Sequence, residues 1–284
     1  MIEKILNGKV AMLAQPTAKM DGMDYSKRVY VQPKLDGVRC IFTKTGAFSR
    51  RGNRFLNVTH LEAQLFEFFQ DHPNAVLDGE LYNHELKNDF EKIISLVRKT
   101  VNITPEDRTE ASEKVQFHMY DVVMPGNYMD RLVFMDDLLR KYRPHSVVEV
   151  TTALVQKEEE VWNIHEFNKE DGYEGSMIRL DGEYENKRSK NLVKVKDIQD
   201  SEGVIIDVIE GKGKLTGMVG KFVMQFPNGK TFGAPMSGTK FADRKIAWEN
   251  RESFIGKEAT IEYFEITKNG VPRFPVFKAL RNYE

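Results

Sequence analysis

Residues 29–42, Val-Tyr-Val-Gln-Pro-Lys-Leu-Asp-Gly-Val-Arg-Cys-Ile-Phe, constrain the fold more tightly than any other stretch of the chain. An apolar, β-branched run at 29–31 leads into Lys34, Asp36 and Arg39, and a second apolar run follows at 40–42. The pattern predicts a hairpin of strand, tight turn and strand, with three charged side chains concentrated around the turn. Pro33 cannot supply an interior ladder hydrogen bond, and Gly37 can take backbone conformations closed to other residues. The turn is therefore expected to hold Lys34 in a fixed place.

Beyond the turn, the periodicity alternates between helix and strand. Residues 1–27 mix a weak amphipathic segment with a loop. Residues 59–70 place Leu61, Leu65, Phe68 and Phe69 at helical spacing behind Thr59 as a cap, and Pro73 ends the pattern. Residues 76–82 predict a strand with Asp78 and Glu80 at i and i+2, hence on one face. Helices are expected over 88–99, 129–142 and 158–169, and strands over 115–123, 147–151, 174–179 and 191–197. The polar segment 102–114 reads as a loop or a single helical turn. Lys194 and Lys196 share one face of their strand.

From Ser201 the texture changes to short β-rich runs separated by Gly and Asn, with hairpin signals at Asn228-Gly229 and Asn269-Gly270. A single helix is expected near 242–250. About five strands in roughly 85 residues predict a small antiparallel barrel of the oligonucleotide-binding kind, with the domain boundary near 197–201.

At 284 residues the chain is long enough for one large domain or two smaller ones. The net charge of −1 argues against binding by bulk electrostatics, so a nucleic-acid partner would need local basic patches. No apolar run is long enough for a membrane span, and the first ten residues lack the features of a signal peptide. A single cysteine, Cys40, excludes an internal disulfide and a cysteine-cluster zinc site. Its apolar neighbours predict a small buried residue, and a reducing, cytoplasmic setting is expected.

The charged residues make most chemical sense as a set. Lys34, Asp36 and Arg39 sit around one turn, Asp78 and Glu80 on one strand, Glu174 at the head of another, and Lys194 and Lys196 on a third. Each comes off a strand or strand end, where a sheet could converge them on one cleft. Several carboxylates and cations together make a poor core but a good site for a metal and a polyphosphate.

Taken in order, these motifs resemble those of the covalent nucleotidyltransferase superfamily, and within it the small viral and bacterial ATP-dependent DNA ligases. The turn Lys-Leu-Asp-Gly-Val-Arg at 34–39 is similar to the family's nucleophile motif, Ser-Arg-Arg-Gly at 49–52 to its next element, and Leu-Asp-Gly-Glu-Leu at 77–81 to its third. Phe-His-Met-Tyr-Asp-Val-Val at 117–123 resembles the segment that supplies an aromatic residue to the base. Residues 173–179 and 192–196 resemble the remaining active-site motifs, and 273–281 the closing motif.

The resemblance implies an α+β protein of two domains. Residues 1–198 would form a mixed nucleotidyltransferase (adenylation) domain of antiparallel sheets with flanking helices, and 199–284 an oligonucleotide-binding (OB) barrel. It also implies that Lys34 attacks the α-phosphate of ATP, carries AMP, passes it to a 5′-phosphate at a nick in duplex DNA, and that the 3′-OH then displaces AMP. A free lysine is almost wholly protonated at neutral pH, and cationic neighbours such as Lys194 and Lys196 disfavour that form. The same two lysines would neutralise charge on the transferring phosphoryl group.

Glu174 is the first choice of ligand for Mg2+, for which Mn2+ could substitute, with Asp36 and Asp78 as weaker candidates. By the resemblance, Glu80 would hydrogen-bond the ribose, Arg39 and Arg50 would contact sugar or nick phosphate with Arg51 alongside, and Tyr120 would stack on adenine, Phe117 being the other candidate. Gln32 would read the adenine or be a buried structural glutamine. Arg179 would contact the AMP phosphate or support Glu174. Lys212, Lys214 and Lys221, interleaved with glycines, would contact DNA phosphates. A monomer closing around DNA by rotation about residues 196–201 is implied.

One departure concerns the closing motif: Arg281 is followed by Asn282, Tyr283 and Glu284 rather than by the family's acidic residue and lysine. That puts its part in pyrophosphate binding in doubt. An RNA ligase or an mRNA-capping guanylyltransferase would use the same lysyl chemistry. A NAD-dependent ligase would need an added domain and a cysteine zinc site. A non-catalytic nucleic-acid-binding protein predicts loss of Lys34, Glu174 or the Lys194/Lys196 pair, and all four are present.

Overall fold

The computed structural model describes residues 11–17, 20, 22–87, 89–197, 199–263, 266–267 and 269–281. The amphipathic segment expected within residues 1–10 and the departure at 282–284 lie outside them. The chain divides into two compact units, Met1–Lys196 and Asp197–Glu284.

The first unit holds two five-stranded sheets. One runs in the order β1 (Leu13–Gln15), β10 (Arg188–Val195), β9 (Ser176–Leu180), β2 (Val29–Pro33), β8 (Ala153–Val155). The other runs β4 (Gly46–Ser49), β3 (Val38–Thr43), β5 (Leu77–Tyr82), β6 (Gln116–Val122), β7 (Val147–Glu149). Pairing is antiparallel except at one edge of each sheet, where β1 runs parallel to β10 and β7 parallel to β6. β1 lies in a stretch whose sequence shows no periodicity, because a three-residue edge strand is too short to show one.

The 29–42 stretch is not a hairpin. β2 pairs with β8 and β9, whereas β3 pairs with β4 and β5, so the turn between them carries the chain from one sheet to the other. Gly37 is required here for space rather than for a positive φ. A Cβ on it would lie 2.5 Å from the Leu81 carbonyl oxygen and 2.7 Å from Glu80 Cγ, so the turn can seat against β5 only without a side chain. Lys34 thereby sits where the two sheets meet.

Alternation along β2 explains what faces that junction. Val29 and Val31 pack with Val161, Ile178 and Val195 against α6 (Glu158–Glu170). Tyr30 and Gln32 point the other way, toward Tyr128. The second sheet packs Phe42, Leu77, Leu81, Phe117 and Met119 against a helical layer. That layer comprises α1 (Thr59–Gln64), α2 (Phe66–Asp71), α3 (Phe90–Val97), α4 (Pro105–Lys114) and α5 (Tyr128–Tyr142). Phe117 is completely buried there, which removes it as a base-stacking candidate.

Two helical readings need correction. The expected 59–70 helix is broken at Leu65 (φ −94°, ψ 3°) into α1 and α2, and Thr59 lies inside the first turn rather than capping it. The predicted loop at 102–114 contains the ten-residue α4. Its N-terminus is a reciprocal capping box between Thr104 and Asp107 with Pro105 at the first turn. Ala111 is its one buried residue, so no apolar period announced it.

In the second unit five strands run in the order β13 (Thr231–Pro235), β12 (Val219–Gln225), β11 (Gln199–Glu210), β14 (Glu258–Tyr263), β15 (Val276–Leu280), with α7 (Phe241–Glu249) alongside. The twelve-residue β11 pairs with β14 through its first half and with β12 through its second, shifting register between Ile205 and Asp207. Among the described residues the edge strands β13 and β15 share no ladder, so the sheet is OB-like but not the closed barrel expected. Both edge strands are five residues long. Among the described residues no helix is long and apolar enough to cross a membrane.

Leu61 is completely buried, whereas Phe66, five residues on, is 61% exposed. Leu61→Ala should therefore lower the unfolding free energy by about 2–5 kcal/mol, against less than about 0.5 for Phe66→Ala, read from urea denaturation. Equal losses would place the core of the first unit elsewhere.

Candidate active site

Residues 34 and 174–175 are joined through their backbones. The Glu174 N–H donates to the Lys34 carbonyl (3.0 Å) and the Lys34 N–H donates to the Gly175 carbonyl (2.9 Å). Gly175 has φ +140°, and a Cβ there would lie 2.4 Å from the Val195 carbonyl oxygen at the end of β10. Only glycine lets β9 enter this close to β10. The result brings three charged side chains together: the Lys34 ammonium on one Glu174 carboxylate oxygen and the Lys196 ammonium on the other. The Glu174 side chain is only 6% exposed.

Above this triad lies a cleft of about 290 Å³ between the two sheets of the first unit, lined by Gln32, Lys34, Arg50, Glu80, Tyr120 and Lys194 among others. Burial is the first cause acting on the Lys196 ammonium and holds it below its ordinary value against the pull of Glu174. Burial also pushes the Glu80 carboxyl up to about 8, against the opposing charges of Lys34 and Arg39. Tyr120 comes from a β-bulge. Asp78 faces Asp121 and Gly79 faces Met119, leaving Tyr120 as the extra residue that the bulge re-aims. Its hydroxyl donates to Glu80 (3.4 Å).

Several expected site residues are engaged otherwise. The Arg39 guanidinium, which lines the cleft, is held by both Asp78 oxygens (2.9 and 2.5 Å) and by the Met12 carbonyl (2.8 Å). Asp78 also accepts from the Tyr184 hydroxyl (2.6 Å), so its oxygens serve Arg39 and Tyr184 rather than a metal. Arg179 lines the cleft and is not paired with Glu174 there. Its Nε donates to Gln32 (2.6 Å) and its Nη1 to Asp121 (2.5 Å).

Asp36 is half-buried beside Tyr82, whose ionisation its charge opposes after burial and Tyr173. Arg51 is exposed after Arg50. In the second unit Lys212, Lys214 and Lys221 are exposed, and Arg281 pairs with Glu202. Cys40 is buried, and burial raises its thiol well above the ordinary range.

Asp121, Arg131 and Tyr128 were not singled out in the sequence, because a buried ion pair has no local spacing signal. Asp121 is fully buried between Arg131 Nε (2.6 Å) and Arg179.

Among the described residues no three His, Cys, Asp or Glu side chains converge on a common point. A closed all-protein metal cage is therefore absent from them. A magnesium ion held by one carboxylate and substrate phosphates needs no such cage. Glu174 could take that role once the phosphates of a nucleotide draw Lys34 and Lys196 off its two oxygens.

Lys34 and Lys196 on one nearly buried carboxylate, beside a cleft that Arg50 and Lys194 also line, suit the chemistry of lysyl nucleotidyl transfer. The family of the ATP-dependent DNA ligase domain matches residues 11–196, and a DNA ligase OB-like domain matches residues 210–281. The chain belongs to the ATP-dependent DNA ligase family.

Among curated proteins, a DNA ligase of African swine fever virus (strain Badajoz 1971 Vero-adapted) is 30% identical over 274 residues, covering 85% of this chain and 61% of the viral protein. The DNA ligase of Haemophilus influenzae is 28% identical over 251 residues, covering 86% and 83% respectively. The chain thus spans about 61% of the length of the viral relatives it matches. Among solved structures, a Lig E DNA ligase described as DNA binding with a minimal scaffold superposes with a TM-score of 0.81 at 24% identity, covering 96% of this chain and 99% of that one. That likeness establishes the shared fold.

The raised Glu80 carboxyl carries a pH prediction. Below its ordinary value of 4.5 the carboxyl is protonated in both states; up to about 8 the unfolded chain loses a proton that the folded chain keeps. Stability should therefore fall as pH rises through that window. Urea midpoints taken at about pH 5 and about pH 8 should fall further for the parent than for Glu80→Gln. Parallel profiles would contradict the raised carboxyl.

Proposed function

We propose that this chain is an ATP-dependent DNA ligase that seals nicks in duplex DNA through a lysyl-AMP intermediate. The observation that carries the reading is Lys34, which lines the cleft, sharing the nearly buried Glu174 carboxylate with Lys196.

In the first step the deprotonated Lys34 Nζ attacks the α-phosphorus of ATP. A P–N bond forms, the bond to the bridging oxygen breaks, and pyrophosphate leaves. Lys194 and Lys196 lie where they can offset negative charge on the transferring phosphoryl group. Glu174, together with the nucleotide's phosphates, would hold Mg2+, which when bound neutralises phosphate charge. Glu80, a carboxyl that retains its proton near neutrality, can both donate to and accept from the ribose hydroxyls. Tyr120 offers its ring to the base. AMP then passes from Lys34 to a 5′-phosphate, and the neighbouring 3′-OH displaces it as the phosphodiester forms.

The DNA partner is read from the family and from exposed cations. Arg50 lines the cleft, Arg51 follows it in the exposed turn, and Lys212, Lys214 and Lys221 are exposed on the second unit. We assign these to phosphate contacts that place the nick. Its supply of ATP and DNA puts the protein inside the cell.

The test is incubation with ATP or GTP labelled at the α-phosphate, followed by a denaturing gel and then by nicked DNA or RNA duplexes. A covalent adduct with ATP should form, should vanish in Lys34→Ala, and should be discharged by nicked DNA. Absence of any adduct would overturn the lysyl chemistry. Discharge by nicked RNA alone would overturn the DNA assignment.

A further inference from the structure

Beneath the cleft, a buried chain of ion pairs and hydrogen bonds dictates which way the Gln32 amide faces. Gln32 is 1% exposed and forms part of the cleft wall, two residues before Lys34. Its Oε1 accepts from Arg179 Nε (2.6 Å), and its Nε2 donates to the hydroxyls of Tyr128 and Thr152, both at 2.9 Å.

Receiving it in the opposite sense would cost each hydroxyl the bond it already donates. The Tyr128 hydroxyl hydrogen is given to the Tyr120 carbonyl (3.1 Å) and that of Thr152 to the Val150 carbonyl (2.9 Å), leaving only lone pairs for Gln32. Arg179 can only donate. Turning the amide over would set N–H against N–H at Arg179 and oxygen against two oxygen lone pairs. Three independent partners therefore fix one orientation.

Arg179 is itself held. Its Nη1 reaches Asp121 (2.5 Å), whose other oxygen binds Arg131 Nε (2.6 Å) and the Val122 N–H (2.9 Å). Arg131 is anchored on the Gly126 and Gly182 carbonyls (3.0 and 2.9 Å). The order thus runs from the backbone, through Arg131 and Asp121, to Arg179 and so to Gln32. A carbonyl oxygen has two lone pairs, and Arg179 takes one. What Gln32 can offer a ligand is a fixed acceptor.

Resting on the nucleotidyltransferase reading above, we propose that Asp121, acting through Arg179 and with the Tyr128 and Thr152 hydroxyls, sets base selectivity by locking Gln32 as an acceptor. A base that presents an exocyclic amine to Gln32 is accepted, and one that presents a carbonyl oxygen there is rejected. Asp121 is on this account a positioning residue, and Gln32 alone, free to turn over, would not discriminate.

Single-turnover adduct formation with ATP and with ITP, which replaces the amine by a carbonyl, measures this as a ratio of rates on one protein. A general loss of folding or of chemistry cancels in that ratio. The parent should prefer ATP by about a hundredfold or more. Asp121→Asn keeps the shape but loses the charge that holds Arg179, and should lower the preference roughly tenfold, one hydrogen bond's worth.

Because Asp121→Asn leaves two buried guanidinium groups underpaired and could fail to fold, Tyr128→Phe combined with Thr152→Val is the second variant. It removes both acceptors, keeps the volumes, and should lower the ratio in the same way. Gln32→Leu should abolish the preference and so set the floor.

An unchanged ATP-to-ITP ratio in the folded variants overturns the proposal while leaving the lysyl chemistry intact. Failure of the parent to form an adduct with either nucleotide overturns the underlying reading as well.

Discussion

A nearly buried carboxylate shared by two ammonium groups is the interaction on which the rest of the first unit depends. Glu174, 6% exposed, would be costly to ionise without partners, and Lys34 and Lys196 supply one each. Neither lysine reaches it by chance of rotamer. The Lys34 backbone is bonded reciprocally to residues 174–175, and Gly175 admits the close passage of β10 that presents Lys196. On the proposed reading the pairing is also a resting state. The oxygens of an incoming triphosphate offer both ammonium groups another partner, which releases Lys34 for attack and Glu174 for a cation.

The second structural requirement is that the nucleophile's turn join two sheets. A hairpin would have left Lys34 at a sheet edge facing water. Passing from β2 into β3 instead places it between walls that come from different sheets: Gln32 and Lys194 on one side, Glu80 and Tyr120 on the other. Both devices that shape the second wall are local irregularities. Gly37 lets the turn meet β5, and the bulge in β6 turns Tyr120 toward Glu80. Irregularity at a site, on an otherwise regular sheet, is where strand periodicity gives way to chemistry.

The set Lys34, Glu80, Tyr120, Glu174, Lys194 and Lys196 was legible in the sequence because each residue sits in a short motif with its own spacing. The structure brings these six to one cleft and the triad beneath it. What was not legible depended on contacts between distant segments. Arg39 and Asp78 look like free site residues in sequence, yet they pair across adjacent strands, with Arg39 still lining the cleft. Asp121 and Arg131 carry no motif signal, since burial of an ion pair is decided by what packs over it. The helix α4 was missed for a different reason: a helix that buries one alanine is held by its cap, and caps are weaker evidence than apolar period. The open order of the second unit's sheet turns on whether its two edge strands meet in a ladder, which strand propensity alone does not fix.

The central claim is that the Lys34 amine, and no other, becomes the carrier of AMP because the turn between β2 and β3 fixes it against Glu174 in the cleft wall. Peptide mapping by mass spectrometry after incubation with ATP tests this directly. The account predicts one AMP in an acid-labile phosphoramide bond on the peptide containing Lys34. AMP on Lys194 or Lys196, or on a carboxylate, would contradict it.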